Sequence, residues 1–417
     1  MAIEKVNTLV VGGGQAGLAM SEHLSANGIA HVVLERERIA ERWRTARWDA
    51  LVANGPAWHD CFPSFSFQDT APDGFASKES VTRYFEDFAK KIDAPIRCDT
   101  EVLRAYKKIG APGFSVETSS GVIEADNIVA ATGPFQIPVI PPVVPEVPGI
   151  TQIHSHTYRN AEQFPDGAIL VVGSGSSGSQ IADELLRAGR DVYLSVGPHE
   201  RPPRSYRNRD FVWWLGVLGK WDLATVDPDT AHVTIAVSGA YGGHTIDFRN
   251  FADRGMTLLG MTEGYKDGVL KFADDLSKNI EHGDDSYLKM LDEADAYIER
   301  NGIDLPEEPE ARAIGPAPEC MTKPISELNL AAKEIKTIIW ATGYVQDFKW
   351  LEADVFDSDG KPNHQRGVSP EPGVYFLGLP WLSRRGSSFI WGVWHDAKYL
   401  ADHINTQKSY SEYTPPG

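Results

Sequence analysis

Residues 9–17 read Leu9-Val10-Val11-Gly12-Gly13-Gly14-Gln15-Ala16-Gly17, and residues 169–178 read Ile169-Leu170-Val171-Val172-Gly173-Ser174-Gly175-Ser176-Ser177-Gly178. In each, an apolar run of strand type enters a glycine turn. A helical pattern follows: Leu18, Met20 and Leu24 after the first turn, Ile181, Leu185 and Leu186 after the second. The first glycine of such a turn permits the tight bend. The second lets the backbone approach a pyrophosphate, and the third lets the helix pack closely on the strand. The phosphates then sit at a helix N-terminus, where N–H groups and the dipole favour an anion. One motif of this kind is a weak signal. Two in one chain, each in strand–turn–helix context, imply two dinucleotide sites, the equipment for moving a hydride from a nicotinamide to a flavin. The expected fold is therefore α/β, with two Rossmann-like dinucleotide-binding domains.

The strand after each turn assigns the nucleotide. His31-Val32-Val33-Leu34-Glu35 follows the first, and Glu35 lies 23 residues after Gly12. An acid there hydrogen-bonds a ribose 2′-OH and rejects a 2′-phosphate. Gly12, Gly14, Gln15, Ala16, Gly17 and Glu35, with the adjacent Arg36, thus suit FAD or NAD, and FAD is the expected occupant of this first site. Asp191 to Gly197 follows the second turn, and Val196 holds the place of Glu35 without a carboxylate. A basic run comes next: Arg201, Arg204, Arg207 and Arg209. Lack of the acid and nearby guanidiniums favour NADPH, because a 2′-phosphate needs charge-assisted partners. Gly173, Gly175, Ser176, Ser177, Gly178 and Arg204 are the expected NADPH contacts. The alternative for the arginines is a solvated loop or pairing with protein carboxylates.

At 417 residues, two domains are expected. The punctuation divides the chain into a first part of the FAD domain (1–164), an inserted NAD(P)H domain with a helical extension (165–325), and a C-terminal return to the FAD domain (326–417). The proline-rich stretch Pro138 to Pro148 marks one boundary. Two strand-turn signals, Ile128 to Gly133 and Ile338 to Tyr344, are both expected in the first domain, and a helix from Trp391 to Ile404 closes the structure. Residues 210 to 318 are acidic with helical patterns and no readable motif. The net charge of −18 argues against nucleic acid or an anionic membrane as partner. No apolar run is long enough to span a membrane. The start shows no signal peptide, and three scattered cysteines, Cys61, Cys98 and Cys320, fit reduced cytoplasmic thiols. No C-x-x-C, P-loop or metal-ligand cluster is present. His395 and His403 read as helix packing residues rather than ligands.

The residues resemble the flavin-containing monooxygenases with two dinucleotide-binding domains, including the plant YUCCA-type enzymes and bacterial relatives. The resemblance covers most of the chain in order. Besides both fingerprints it takes in Glu41-Arg42-Trp43-Arg44, Asn54-Gly55-Pro56 ahead of Phe62-Pro63, Ala131-Thr132-Gly133 with Pro138, His154-Ser155 with Tyr158, and Trp340-Ala341-Thr342-Gly343-Tyr344. It implies cofactor contacts at Trp43, Arg44, Val102, Thr132, Gly133, Thr342 and Gly343. It also implies a reaction in which NAD(P)H reduces FAD, O2 adds at flavin C4a, and the resulting (hydro)peroxyflavin passes one oxygen atom to a small lipophilic or aromatic substrate.

Asn54 resembles the family's asparagine beside the flavin, a polar donor in a dry site; Asn-Gly-Pro is equally a good turn sequence. Trp43 either packs on FAD or is a core aromatic. His154 and Tyr158 are either interdomain contacts or NADP contacts. Gly197 stands where the family usually places an arginine, which leaves NADH open beside NADPH. Two other readings share the cofactors: an NAD(P)H oxidase or flavin-linked reductase without oxygen insertion, and a redox-sensing flavoprotein. A homodimer is left open.

Overall fold

The computed structural model describes residues 3–224 and 234–415. β1 (Glu4–Val11) is buried over its C-terminal half, as the unbroken apolar run Leu9-Val10-Val11 requires of a strand covered on both faces. It feeds α1 (Gln15–Ala26), which stops at Asn27 and Gly28, the latter at φ 64°. β2 (His31–Leu34) pairs parallel with β1. α2 (Lys78–Lys91) begins at Ser77, whose hydroxyl accepts from the Ser80 N–H. Next come β3 (Ile96–Arg97), β4 (Val102–Lys107), β5 (Phe114–Thr118) and β6 (Gly121–Ala130).

The chain then crosses to a second sheet through β7 (Thr151–His154) and β8 (Ala168–Val172). α3 (Ser176–Arg187) and β9 (Val192–Ser195) repeat the opening βαβ unit. β10 (Thr257–Leu259), α4 (Leu276–Asn301) and β11 (Ile335–Trp340) complete this half. β12 (Leu351–Glu352), β13 (Val374–Phe376) and α5 (Ile390–Glu412) return to the first.

Among the described residues the first sheet has eight strands in the order β12-β4-β5-β6-β1-β2-β3, with β13 beside β6. The second has five, β10-β9-β8-β11-β7, all parallel. These are the two Rossmann-like units expected, the second inserted into the first.

The exchange points differ from the expectation. β7 already belongs to the second sheet, ahead of 164. β11, expected to return the chain to the first domain, pairs with β8 and β7 instead, and the first strand back is β12. The reason is repetition: each unit needs its own strand ending in Ala-Thr-Gly beside its glycine turn. The acidic region 210–318 contains α4 and β10, as well as two strands, Thr262–Lys266 and Val269–Phe272, of a small antiparallel sheet with Glu327–Asn329. Its residues 225–233 lie outside the described ones.

Candidate active site between two glycine turns

The two turns are built alike. A Cβ on Gly12 (φ 115°) would lie 2.5 Å from the Ala131 carbonyl oxygen, and one on Gly17 would lie 1.9 Å from the Gly12 oxygen. A Cβ on Gly173 (φ 107°) would lie 2.6 Å from the Ala341 oxygen, and one on Gly178 would lie 1.8 Å from the Gly173 oxygen. Both helices begin at a glycine, Gly14 or Gly175, with no side-chain cap, so their first N–H groups are left for a ligand. Gly14 has no heavy atom within 4 Å of where its Cβ would be. A cradle crowded at 12 and 17 and open at 14 fits a pyrophosphate.

Glu35 follows β2 directly, beside this cradle. Its Oε2 accepts from the Gly13 N–H at 2.7 Å and its Oε1 from the Glu37 N–H at 3.0 Å. Gln15 Nε2 donates to the Ser388 oxygen at 2.7 Å, tying the turn to the start of α5, and Ala16 is buried. Arg36 is exposed. Arg44 pairs with Glu86, while Trp43 packs partly buried against both main apolar cores. Val102 packs on the first core at the start of β4. Gln136 Nε2 donates to Thr132 Oγ1 at 2.9 Å and to the Gly133 oxygen at 2.8 Å.

On the second unit, Ser176 Oγ donates to the Ile235 oxygen at 2.7 Å, and Ser177 is exposed on the first turn of α3. Val196 is fully buried. The Gly197 N–H donates to Ser174 Oγ at 3.1 Å, and that hydroxyl lies 3.2 Å from the Gly197 oxygen. Thr342 Oγ1 donates to the Val139 oxygen, and His154 Nε2 hydrogen-bonds the Gly343 oxygen at 3.0 Å. Tyr158 is fully buried and donates to Glu184 on α3 at 2.8 Å, so it and His154 serve as packing contacts of the second unit. His395 lies edge-on to Trp391, and His403 hydrogen-bonds the Tyr375 hydroxyl.

Arg204, expected at the 2′-phosphate, is committed elsewhere. It is 6% exposed, makes two hydrogen bonds to the Asp210 carboxylate at 2.5 Å, and lies over the Phe75 and Phe211 rings. Its Nη1 donates to the Asn54 main-chain oxygen at 2.7 Å. Arg201 and Arg249 share buried Asp284, Arg207 pairs with Asp295, and Arg209 lies over Trp213. Pairing with protein carboxylates, the alternative reading, describes Arg201, Arg204 and Arg207.

Asn54 does not cap its own turn. The Gly55 N–H donates to Asp60 at 2.9 Å, and a Cβ at 55 would collide with that carboxylate. Asn54 Oδ1 instead accepts from Gln180 Nε2 on α3 at 2.8 Å. The loop of the first unit thus meets the helix that rises from the second turn. Sequence reasoning passed over Gln180. The signal was its place: four residues after Ser176 puts it on the same face of α3.

Residues 9–215 match the family described as pyridine nucleotide-disulphide oxidoreductase. The chain is 33% identical over 405 residues to an uncharacterized oxidoreductase CzcO-like of Geobacillus kaustophilus, covering 96% of this chain and 98% of that one. It is 26% identical over 412 residues to a probable indole-3-pyruvate monooxygenase of Arabidopsis thaliana, covering 96% and 90%. The flavin-containing monooxygenase structure from Stenotrophomonas maltophilia superposes with a TM-score of 0.65 at 17% identity, covering 97% of this chain and all of that one. The doubled turn, the doubled Ala-Thr-Gly strand and these full-length relatives agree: the protein is a flavin-dependent oxidoreductase, and the chain belongs to the flavin-containing monooxygenase family.

Proposed function

We propose that the first turn holds FAD and the second NAD(P)H, and that the enzyme transfers one oxygen atom from O2 to a small lipophilic or aromatic substrate. Bound at the first turn, the flavin would accept a hydride from the nicotinamide and activate O2. The chain's own residues supply the rest. Gly14 leaves room for the pyrophosphate, Gly12 and Gly17 let the turn and its helix pack closely, and Glu35 is the acceptor for a ribose hydroxyl. Trp58, 43% exposed, and Phe389, 41% exposed, offer apolar surface to a substrate. The observation that carries the reading is Asn54. It stands on a loop of the first unit, is held from the second fingerprint helix, and has its Oδ1 already occupied. Its Nδ2, with no partner among the described residues, is left to donate to oxygen or substrate.

The test combines labelled oxygen with one variant. Under 18O2, product from the wild-type enzyme should carry one labelled oxygen, with NAD(P)H consumed in proportion. Losing a buried hydrogen bond costs about 1–3 kcal/mol, so Asn54→Ala should slow oxygen transfer about tenfold to a hundredfold. Flavin content and reduction by NAD(P)H should stay intact. Full recovery of O2 as peroxide across a panel of aromatic, amine and sulfide substrates would overturn oxygenation in favour of an oxidase.

A further inference from the structure

Two side chains of the second unit bind Asn54, and a third contact reaches its neighbour Ala53. Gln180 is 8% exposed and donates from Nε2 twice, to Asn54 Oδ1 at 2.8 Å and to the Val237 oxygen at 2.6 Å. Arg204 Nη1 bridges the Asn54 oxygen and the Ser238 oxygen. A Cβ on Gly239 would lie 2.2 Å from the Ala53 oxygen, so segment 237–239 lies directly against the Asn54 loop.

These contacts form an ordered chain of constraints. A backbone carbonyl is an acceptor only and cannot flip. The Val237 oxygen therefore requires the NH2 end of Gln180. That NH2 end requires the oxygen end of Asn54, because two facing donors would leave the N–H of buried Gln180 unsatisfied. Only Nδ2 of Asn54 is then left to face a ligand.

We propose that Gln180 is the positioning residue that sets the polarity of the Asn54 amide. Through it, the helix starting at the second dinucleotide turn determines that Asn54 presents a donor. Arg204, occupied by the same loop, fixes the main chain beneath it. The inference rests on the proposed role of Asn54, but it is a statement about which end of that amide is offered.

Gln180→Glu tests it. Protonated, the new carboxyl has one O–H, which can donate to Asn54 Oδ1 but leaves the Val237 oxygen without the second bond that the amide supplies. Ionised, it is an acceptor facing two acceptors, and Asn54 turns its Nδ2 toward it. Burial among carbonyl oxygens raises the carboxyl's pKa. As pH rises through that titration, Gln180→Glu should lose product per NAD(P)H by about tenfold, while the wild-type ratio stays flat and Gln180→Ala shows a loss that does not depend on pH. A pH-flat Gln180→Glu would overturn the proposal.

A second readout does not need turnover. In urea denaturation of the flavin-loaded protein, Asn54→Ala and Gln180→Ala should change the unfolding constant by factors whose product exceeds the double variant's effect about tenfold. Multiplicative effects would also refute the pairing, and this cycle decides if Gln180→Glu does not fold. Absence of oxygenated product from the wild type, with the cycle non-multiplicative, would sink the monooxygenase reading and leave the Asn54–Gln180 pairing standing, and the pH dependence of Gln180→Glu would then be read on unfolding rather than on product.

Discussion

At Arg204 the chemistry was legible and the partner was not. A guanidinium near a dinucleotide turn has two uses, phosphate or carboxylate, and local sequence does not choose between them. Asp210, six residues on, takes it in a pocket walled by Phe75 and Phe211. Burial lowers the Arg204 pKa, and the Asp210 charge opposes that shift. Removing one member of a buried pair leaves the other uncompensated, at a cost of about 3–5 kcal/mol. Arg204→Ala should therefore destabilise the protein by roughly that amount. It should change the Michaelis constants for NADPH and NADH by the same factor, since the side chain is not offered to a 2′-phosphate. A selective rise for NADPH in steady-state kinetics would return Arg204 to the nucleotide. Asn54 shows the complementary case. Its Asn-Gly-Pro setting suits a turn, yet the turn hydrogen bond goes to Asp60 and the side chain goes to Gln180.

Among the elements, the strand–turn–helix units were legible because glycine spacing and apolar runs are local. β1 and β8 end where the motifs place them, at Val11 and Val172, and α1 and α3 start within the turns. The glycines differ in what they do, which gives a paired prediction. Gly17→Ala puts a methyl 1.9 Å from a backbone oxygen and should prevent the helix from seating, so soluble yellow protein is lost. Gly14→Ala has open space and an ordinary φ of −90°, so stability should hold within about 0.5 kcal/mol. The effect should fall on flavin binding instead, because that open space is where the phosphates would lie. A methyl there blocks close approach, and the dissociation constant should rise about tenfold, roughly 1.4 kcal/mol, by fluorescence titration. Unchanged affinity in a folded Gly14→Ala protein would remove this turn from the pyrophosphate.

For the whole molecule, buried titrating groups set the acid limit. His199 is fully buried, hydrogen-bonds the Gly197 oxygen through Nδ1, and is pushed down to about 4 by burial. His156 is also pushed down to about 4, by burial and then by Arg42. In the unfolded chain both titrate near 6.5. Between about pH 6.5 and 4 the unfolded state binds protons that the folded state refuses, so stability falls as pH falls. His199 alone accounts for up to about 3 kcal/mol of that loss. Asp183 acts lower. Burial raises its pKa, but nearby His244 and the hydrogen bonds from Arg187 and Arg254 outweigh this and bring it to about 2, so its contribution is lost below about pH 4. Denaturation curves from pH 7 to 5 should show the first loss, and His199→Asn should flatten it; an equal slope in the variant would discharge His199.

By itself, the sequence determined two dinucleotide units, their order and the acid of the first, because period, glycine spacing and strand endings act over neighbouring residues. Tertiary structure decided which sheet received Ile335–Trp340, what Arg204 bound and what held Asn54. Those are contacts between segments distant in the chain, and they are set by competition among carboxylates, carbonyls and strand edges that meet only when both sheets have formed.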